Sequence, residues 1–167
     1  MFEKLELYLN TNAEYAGLFG LIVTFLESFI LSGLIVSSAI LFSICILVYN
    51  TELMPITAIV PVAVVGAHLG DMSGFIFGKT IGPQIMVTKV VQKREKVINR
   101  TQKFLDRTGS YTVLMGRFIP AIRPIVPFLL GISDLKIIKF YIADVIACIC
   151  WGLALGFLVT GIGSLLG

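Results

Sequence analysis

Residues 116–131 read GRFIPAIRPIVPFLLG. This stretch puts Arg117 and Arg123 inside an apolar run and interleaves Pro120, Pro124 and Pro127. Both features are costly in lipid. An Arg at the bilayer centre costs roughly 2.5–3.5 kcal/mol on insertion scales. Each proline removes a backbone donor and clashes with the preceding turn, so these three cannot share one continuous helix. Broken backbone at membrane depth is tolerated only where protein buries it or where it lines a wet cavity. The stretch is therefore read as a re-entrant hairpin: a short helix in, a proline-broken tip carrying the two Arg, and a short helix out. The competing reading is an interfacial loop whose Arg reach the headgroups. The apolar flanks YTVLM and FLLGI argue against it.

The composition supports a membrane setting. The 167 residues are 57% apolar and 14% charged, with a mean hydropathy of +0.96. Soluble domains carry about 25% charged residues. The expectation is one all-α integral membrane domain over residues 1–167. MFEKLELYLN lacks the basic region, apolar core and small-residue site of a secretory signal. Cys45, Cys148 and Cys150 all lie in apolar segments and are expected to be buried thiols. With one His and no evident Cys/His cluster, neither a metal site nor a cofactor is expected.

Outward from the opening stretch, residues 15–49 form an apolar run with the single charge Glu27. As one helix it would measure about 50 Å, against a hydrocarbon core of about 30 Å. It is too long for one upright span and too short for two. Two half-length helices with a break between Glu27 and Ser38 fit better; an ordinary span over 28–49 is the alternative. Residues 54–81 form a span that Pro61 is expected to kink. Gly66, Gly70, Gly74, Gly78 and Gly82 recur every four residues there. That spacing suits close helix packing and needs no other explanation. His68 has no evident partner and is expected to be a packed or interfacial residue. A last span covers 140–166. Asp144 lies about one turn inside it and is expected to cap, to snorkel, or to pair with Lys136 or Lys139.

Residues 83–109 are different. Lys89, Lys93, Arg94, Lys96, Arg100, Lys103 and Arg107 face only Glu95 and Asp106, and apolar residues recur at helical spacing. This is expected to be a basic amphipathic linker helix on a membrane surface, on the cytoplasmic side. Such charge suits anionic lipid, and no nucleic-acid partner is expected. Residues 1–14 are expected to form a short interfacial helix.

The two flanks of the linker share a plan. Residues 15–82 give a hairpin and then a span, and so do residues 110–166. A hairpin returns the chain to its own side, so each half makes one crossing and the halves lie upside down to each other. The expected fold is an inverted repeat of two opposed re-entrant hairpins, each followed by a transmembrane helix, a plan used by many transporters. The tips would meet and bring Glu27 near Arg117 and Arg123. Three unpaired charges would cost on the order of 7–10 kcal/mol, and a Glu–Arg pair removes part of that. One Arg would stay unmatched, leaving a positively biased pocket suited to a phosphate.

Three of these segments carry a resemblance. FLES (25–28), GDMSGFIFGKTIG (70–82) and above all GRFIPAIRP (116–124) resemble motifs of the DedA family, whose eukaryotic relatives carry the VTT domain. The resemblance covers about residues 15–166. It implies two opposed re-entrant hairpins and a role in moving lipids across the bilayer. Bacterial members are associated with undecaprenyl phosphate recycling and phospholipid translocation, ion-coupled in some. Family functional residues map to Glu27, Arg117 and Arg123. Many members also carry a second acid about twelve positions after the Glu, in a Pro-Gly-acid turn. Here residues 35–41 read IVSSAIL, so Asp71 is the candidate substitute in proton or sodium coupling.

The expectation is then a lipid transporter or scramblase of the bacterial inner membrane. Its substrate site would comprise Glu27, Arg117, Arg123, Pro120 and Pro124, with Glu27 and Asp71 as coupling residues. The alternative is a proton- or ion-coupled exporter of small cations or drugs. An enzyme is not expected, because the only His stands in no recognisable nucleophile–base motif. Small, glycine-lined spans permit a homo-oligomer.

Overall fold

The computed structural model describes residues 15–33, 38–86, 111–118, 123–133 and 135–166. These residues are helical with short connections. In chain order the helices are α1 (Ala16–Ser28), α2 (Ile30–Gly33), α3 (Ser38–Asn50), α4 (Ile56–Met86), α5 (Tyr111–Arg117), α6 (Ile125–Ile132) and α7 (Ile137–Leu166). Two are long and apolar enough to cross a membrane, over Ile56–Gly82 and Ile137–Ile162. At 13 residues each, α1 and α3 measure about 20 Å. That is short of a hydrocarbon core of about 30 Å. The expected interfacial helix (1–14), most of the basic linker (87–110), Ser37 and Pro120 lie outside the described residues.

The long apolar run breaks where its charge sits. Helix α1 ends at Ser28, and Phe29 turns extended, with φ −74° and ψ 135°. The break leaves few backbone groups bare. Phe29 N–H donates to the Phe25 carbonyl at 2.9 Å, and the Ser32 hydroxyl donates to the Leu26 carbonyl at 2.6 Å. Within the helices, Thr24, Ser43, Ser73, Thr80 and Thr160 each bond a carbonyl one turn back, so their hydroxyls need no water. Helix α4 passes through Pro61 without a break. Helix α7 begins at Ile137, three residues before the expected start at Phe140, and takes in Lys139.

Helix α4 is the spine, and its glycines decide what lies against it. A Cβ on Gly66 would meet the Leu21 carbonyl at 2.7 Å, and one on Gly70 would meet the Ser28 Cβ at 2.6 Å. Farther along, a Cβ on Gly78 would collide with the Phe128 carbonyl and one on Gly82 with the Ile132 side chain. The first half of the glycine stripe therefore seats α1 and the second half seats α6, each running parallel to α4. Gly131 of α6 returns the contact against the Phe75 carbonyl. On the other flank α7 runs antiparallel to α4. Gly152 packs on Val64, Gly156 on Val60, and Phe140 stacks on Phe75 with centroids 4.3 Å apart. The stripe is a packing device, as its spacing suggests.

Burial falls into two apolar cores. One joins Leu41, Ile44, Cys45, Val48, Ile59, Ala63, Leu155 and Val159. The other joins Phe75, Val113, Val126, Leu129, Leu130, Phe140 and Ala147. On α4 the first core ends at Ala63 and the second begins at Phe75. His68 and Asp71 stand between them. Cys45 and Cys148 are buried as expected, but Cys150 is exposed on the outer face of α7, because a two-residue step turns it away from Cys148.

Candidate functional site

The boundary between the two cores is a layer of buried charge. Glu27, Asp71, Arg117, Arg123 and Asp144 are each at most 4% exposed. Five charges at that depth are tolerable only if they are paired. Arg123 Nη1 donates to Glu27 Oε1 at 2.5 Å, and its Nη2 donates to Ser28 Oγ at 3.0 Å. Ser38, which opens α3, donates to the same Glu27 oxygen at 2.6 Å. Pro124 starts α6 beside Gly33, so the two broken segments touch at their tips through apolar as well as charged contacts.

Arg117 takes a different set of partners. It closes the last turn of α5, where a cation complements the helix dipole. Its Nη1 is shared between Asp71 Oδ2 and Asp144 Oδ1, the latter at 3.3 Å. Asp144 Oδ2 in turn contacts His68 Nδ1 at 2.7 Å. The expected meeting of Glu27 with both Arg is therefore half right. Glu27 takes Arg123, and the acids of the two long helices take Arg117. Asp144 does not pair with Lys136 or Lys139. Its side chain points inward, while Lys136 and Lys139 are exposed. His68 is not without a partner, because α7 lays Asp144 against it across 76 residues of sequence. The unmatched Arg expected from the sequence finds two carboxylates.

This changes the charge balance. Three carboxylates and two guanidiniums form the layer, so it carries no positive surplus. The arrangement is nevertheless lopsided. A cavity of about 340 Å³ lies against the layer, lined by Ser38, Leu41, Phe42, Arg117, Arg123 and Trp151 among others. Among the described residues no carboxylate lines it, because Glu27, Asp71 and Asp144 stand behind the Arg pair. Its rim carries the exposed Phe118 and Leu158. The size is at the low end for small-molecule sites, roughly 300–1,000 Å³. Trp151 holds both guanidiniums against its ring face, at 4.3 Å for Arg123 and 5.4 Å for Arg117. Sequence reading passed over Trp151, whose only signal was a lone Trp inside an apolar span.

Among the described residues, Arg117 Nε and Nη2, Arg123 Nε, Glu27 Oε2 and Asp71 Oδ1 are buried without a hydrogen-bond partner. The three orphan nitrogens belong to the two charged residues of the cavity lining. The sequence also showed no Cys/His cluster, yet His68, Asp144 and Cys148 bring three ligand-type atoms within 4.8 Å of one another. Asp144 is already engaged there by Arg117 and His68, so the group reads as part of the ion-pair network.

Two broken apolar segments thus meet at Glu27 and Arg123, seated on a glycine-striped span. Residues 32–161 match the VTT domain. The chain belongs to the VTT-domain (DedA) family. It is 28% identical over 148 residues to the inner membrane protein YabI of Escherichia coli (strain K12), covering 88% of this chain and 58% of that one. A membrane protein of Buchnera aphidicola subsp. Baizongia pistaciae is 30% identical over 145 residues, covering 86% and 56%. One from Mycobacterium tuberculosis (strain ATCC 25618 / H37Rv) is 27% identical over 135 residues, covering 79% and 59%. The chain thus spans little more than half the length of these VTT-domain relatives. No solved structure matches it significantly. A membrane protein of the VTT-domain family, helical across its described residues, is what these findings establish.

Proposed function

We propose that the protein moves a phosphate-bearing lipid across the bilayer, as a carrier or scramblase of the DedA type. The observation that carries this reading is the cavity wall. Among the described residues it presents two guanidiniums and no carboxylate, and three of the guanidinium nitrogens are buried without partners. Guanidinium forks suit phosphate oxygens. The apolar sides at Leu41, Phe42, Ala154, Leu155 and Leu158 suit the hydrocarbon attached to a lipid phosphate. Pro124 sets the tip that delivers Arg123, and Pro120 is assigned to the same tip.

In this reading α1–α3 and α5–α6 are re-entrant hairpins that enter from opposite leaflets. Each is followed by its crossing helix, α4 or α7. Residues 15–82 and 110–166 are then inverted repeats of a single domain. Residues 83–109 lie on the cytoplasmic face of a bacterial inner membrane. The short helices, the antiparallel α4 and α7, and the contact between the two tips support this arrangement. Glu27 competes with the headgroup for Arg123, and Asp71 does so for Arg117. Loading a phosphate requires each acid to give way, and proton or sodium uptake is the simplest way for it to do so.

The test is leaflet exchange in liposomes of undecaprenyl phosphate and of a labelled phospholipid, beside Arg123→Ala. Exchange that disappears in Arg123→Ala protein that still inserts and keeps its helical circular dichroism supports an anionic-lipid carrier. Exchange of neither lipid by folded protein overturns it. A second reading, an ion-coupled exporter of small cations, is favoured by the acid surplus and the unpartnered Glu27 Oε2. It predicts that Glu27→Gln stops transport while Arg123→Lys does not.

A further inference from the structure

We infer that His68 is a proton-accepting member of the buried charge layer and a positioning residue for Arg117. The layer holds Glu27, Asp71 and Asp144 against Arg117 and Arg123. With His68 neutral, its formal charge is −1; with His68 protonated, it is zero. An uncompensated charge at this depth is expensive. The imidazole is also the least buried member of the group. Its side chain is 19% exposed, against 2% or less for Asp71, Asp144 and Arg117.

The geometry sets where the proton goes. Nδ1 faces Asp144 Oδ2 at 2.7 Å. That nitrogen donates to the carboxylate in either charge state, so the added proton binds at Nε2. The groups facing the ring are few. From α7 they are Asp144, Cys148, and Tyr141, whose ring stands edge-on with centroids 5.0 Å apart. Arg117 of α5 acts through Asp144. Asp71 lies on the same helix as His68, Glu27 is the one charge on α1, and α6 carries no titratable side chain. Lys139 is exposed, about 8 Å from Asp144 along the α7 axis.

The consequence falls on Arg117. Asp144 bridges the imidazole and the guanidinium, one oxygen to each. When His68 is neutral, Asp144 spends its charge on Arg117, which is then held by two carboxylates. When His68 is protonated, Asp144 is shared between two cations and its grip on Arg117 loosens. Arg117 is then held chiefly by Asp71 and is freer to turn its unpartnered Nε and Nη2 to an anion in the cavity. Proton uptake at His68 is thus coupled to anion binding at Arg117 through one carboxylate. This inference rests on the proposed role of Arg117.

The chain has one His and one Trp, and Trp151 lies over both guanidiniums. Its emission reports the position of the Arg pair without any substrate. The experiment is a titration of Trp151 emission in purified, detergent-solubilised protein between about pH 5 and pH 8, the range in which His changes charge. The wild type should shift with pH, and His68→Gln should lose that shift while keeping its helical circular dichroism. A flat wild-type response, or an unchanged titration in His68→Gln, overturns the inference. If His68→Gln fails to fold, Asp144→Asn reads the same link: loss of the shift supports it, and retention overturns it. Because no lipid is needed, a normal titration beside absent leaflet exchange would sink the proposed function and leave this coupling standing.

Discussion

Arg123 and Glu27 are separated by 96 residues in sequence and hydrogen-bonded at the meeting point of two broken helices. Each is nearly fully buried. Removing one partner of a buried pair strands the other, at about 3–5 kcal/mol. Arg123→Ala is therefore expected to lower thermal stability in detergent strongly, and Glu27→Ala similarly. Arg123→Met combined with Glu27→Met should lose less than the sum of the two single Met substitutions, because no charge is left stranded. A strictly additive double-mutant cycle would show that the pair is not coupled.

Ser38 donates to the Glu27 oxygen that also accepts from Arg123. It opens α3 near the place where many VTT-domain proteins carry a second acid. A hydrogen bond to a charged group is worth about 1.5–3 kcal/mol. Ser38→Ala should destabilise by that order, read as a lower midpoint in thermal unfolding. Ser38→Asp should be worse, since it sets a second carboxylate against Glu27 without a second cation. A Ser38→Asp protein as stable as the wild type would mean that the layer has a spare positive charge to offer.

Much of this was legible in the sequence, because lipid makes each polar residue conspicuous. Glu27, Arg117, Arg123 and Asp71 stand out in apolar runs, and the breaks follow from the prolines and from a run too long for one span. The pairing was less legible. One Arg looked unmatched because the partners of Arg117, Asp71 and Asp144, sit on two other helices whose register depends on packing. One sequence-level argument could have found them. An Arg that no nearby Glu can satisfy must find an acid, and besides Glu27 the acids within apolar segments are Asp71 and Asp144. The same step would have made the layer net acidic rather than positive. His68 and Trp151 gave no such signal, since a single His or Trp in a span is usually packing.

Asp71 and Asp144 share one guanidinium nitrogen of Arg117. Each can therefore partly cover for the other. Asp71→Asn or Asp144→Asn alone should be tolerated better than both together. The double substitution leaves Arg117 buried without a carboxylate and should cost more than the sum of the singles. Thermal unfolding of the four proteins in one detergent measures this. A double mutant no worse than the sum would mean that Arg117 depends on one of the two acids only.

The glycine stripe offers a test of the architecture that is independent of charge. A Cβ at Gly78 would strike the Phe128 carbonyl and one at Gly131 the Phe75 carbonyl, and neither backbone can swing aside as a side chain can. At Gly74 the nearest atom is Pro127 Cβ at 3.6 Å, and at Gly17 it is Met54 Cε at 3.7 Å, both ordinary contact distances. Ala should raise helix propensity at all four positions. Overpacking costs about 1–3 kcal/mol where the backbones are already in contact. Gly78→Ala and Gly131→Ala should therefore lower the unfolding temperature, while Gly74→Ala and Gly17→Ala should leave it unchanged or raise it. Because Gly78 and Gly131 face each other's helix, their loss should also loosen α6. Arg123 lies two residues before α6, so the leaflet exchange proposed above should fall in these two variants more than their residual folded fraction explains. Equal effects at Gly74 and Gly78 would mean that α6 does not lie in the groove of α4.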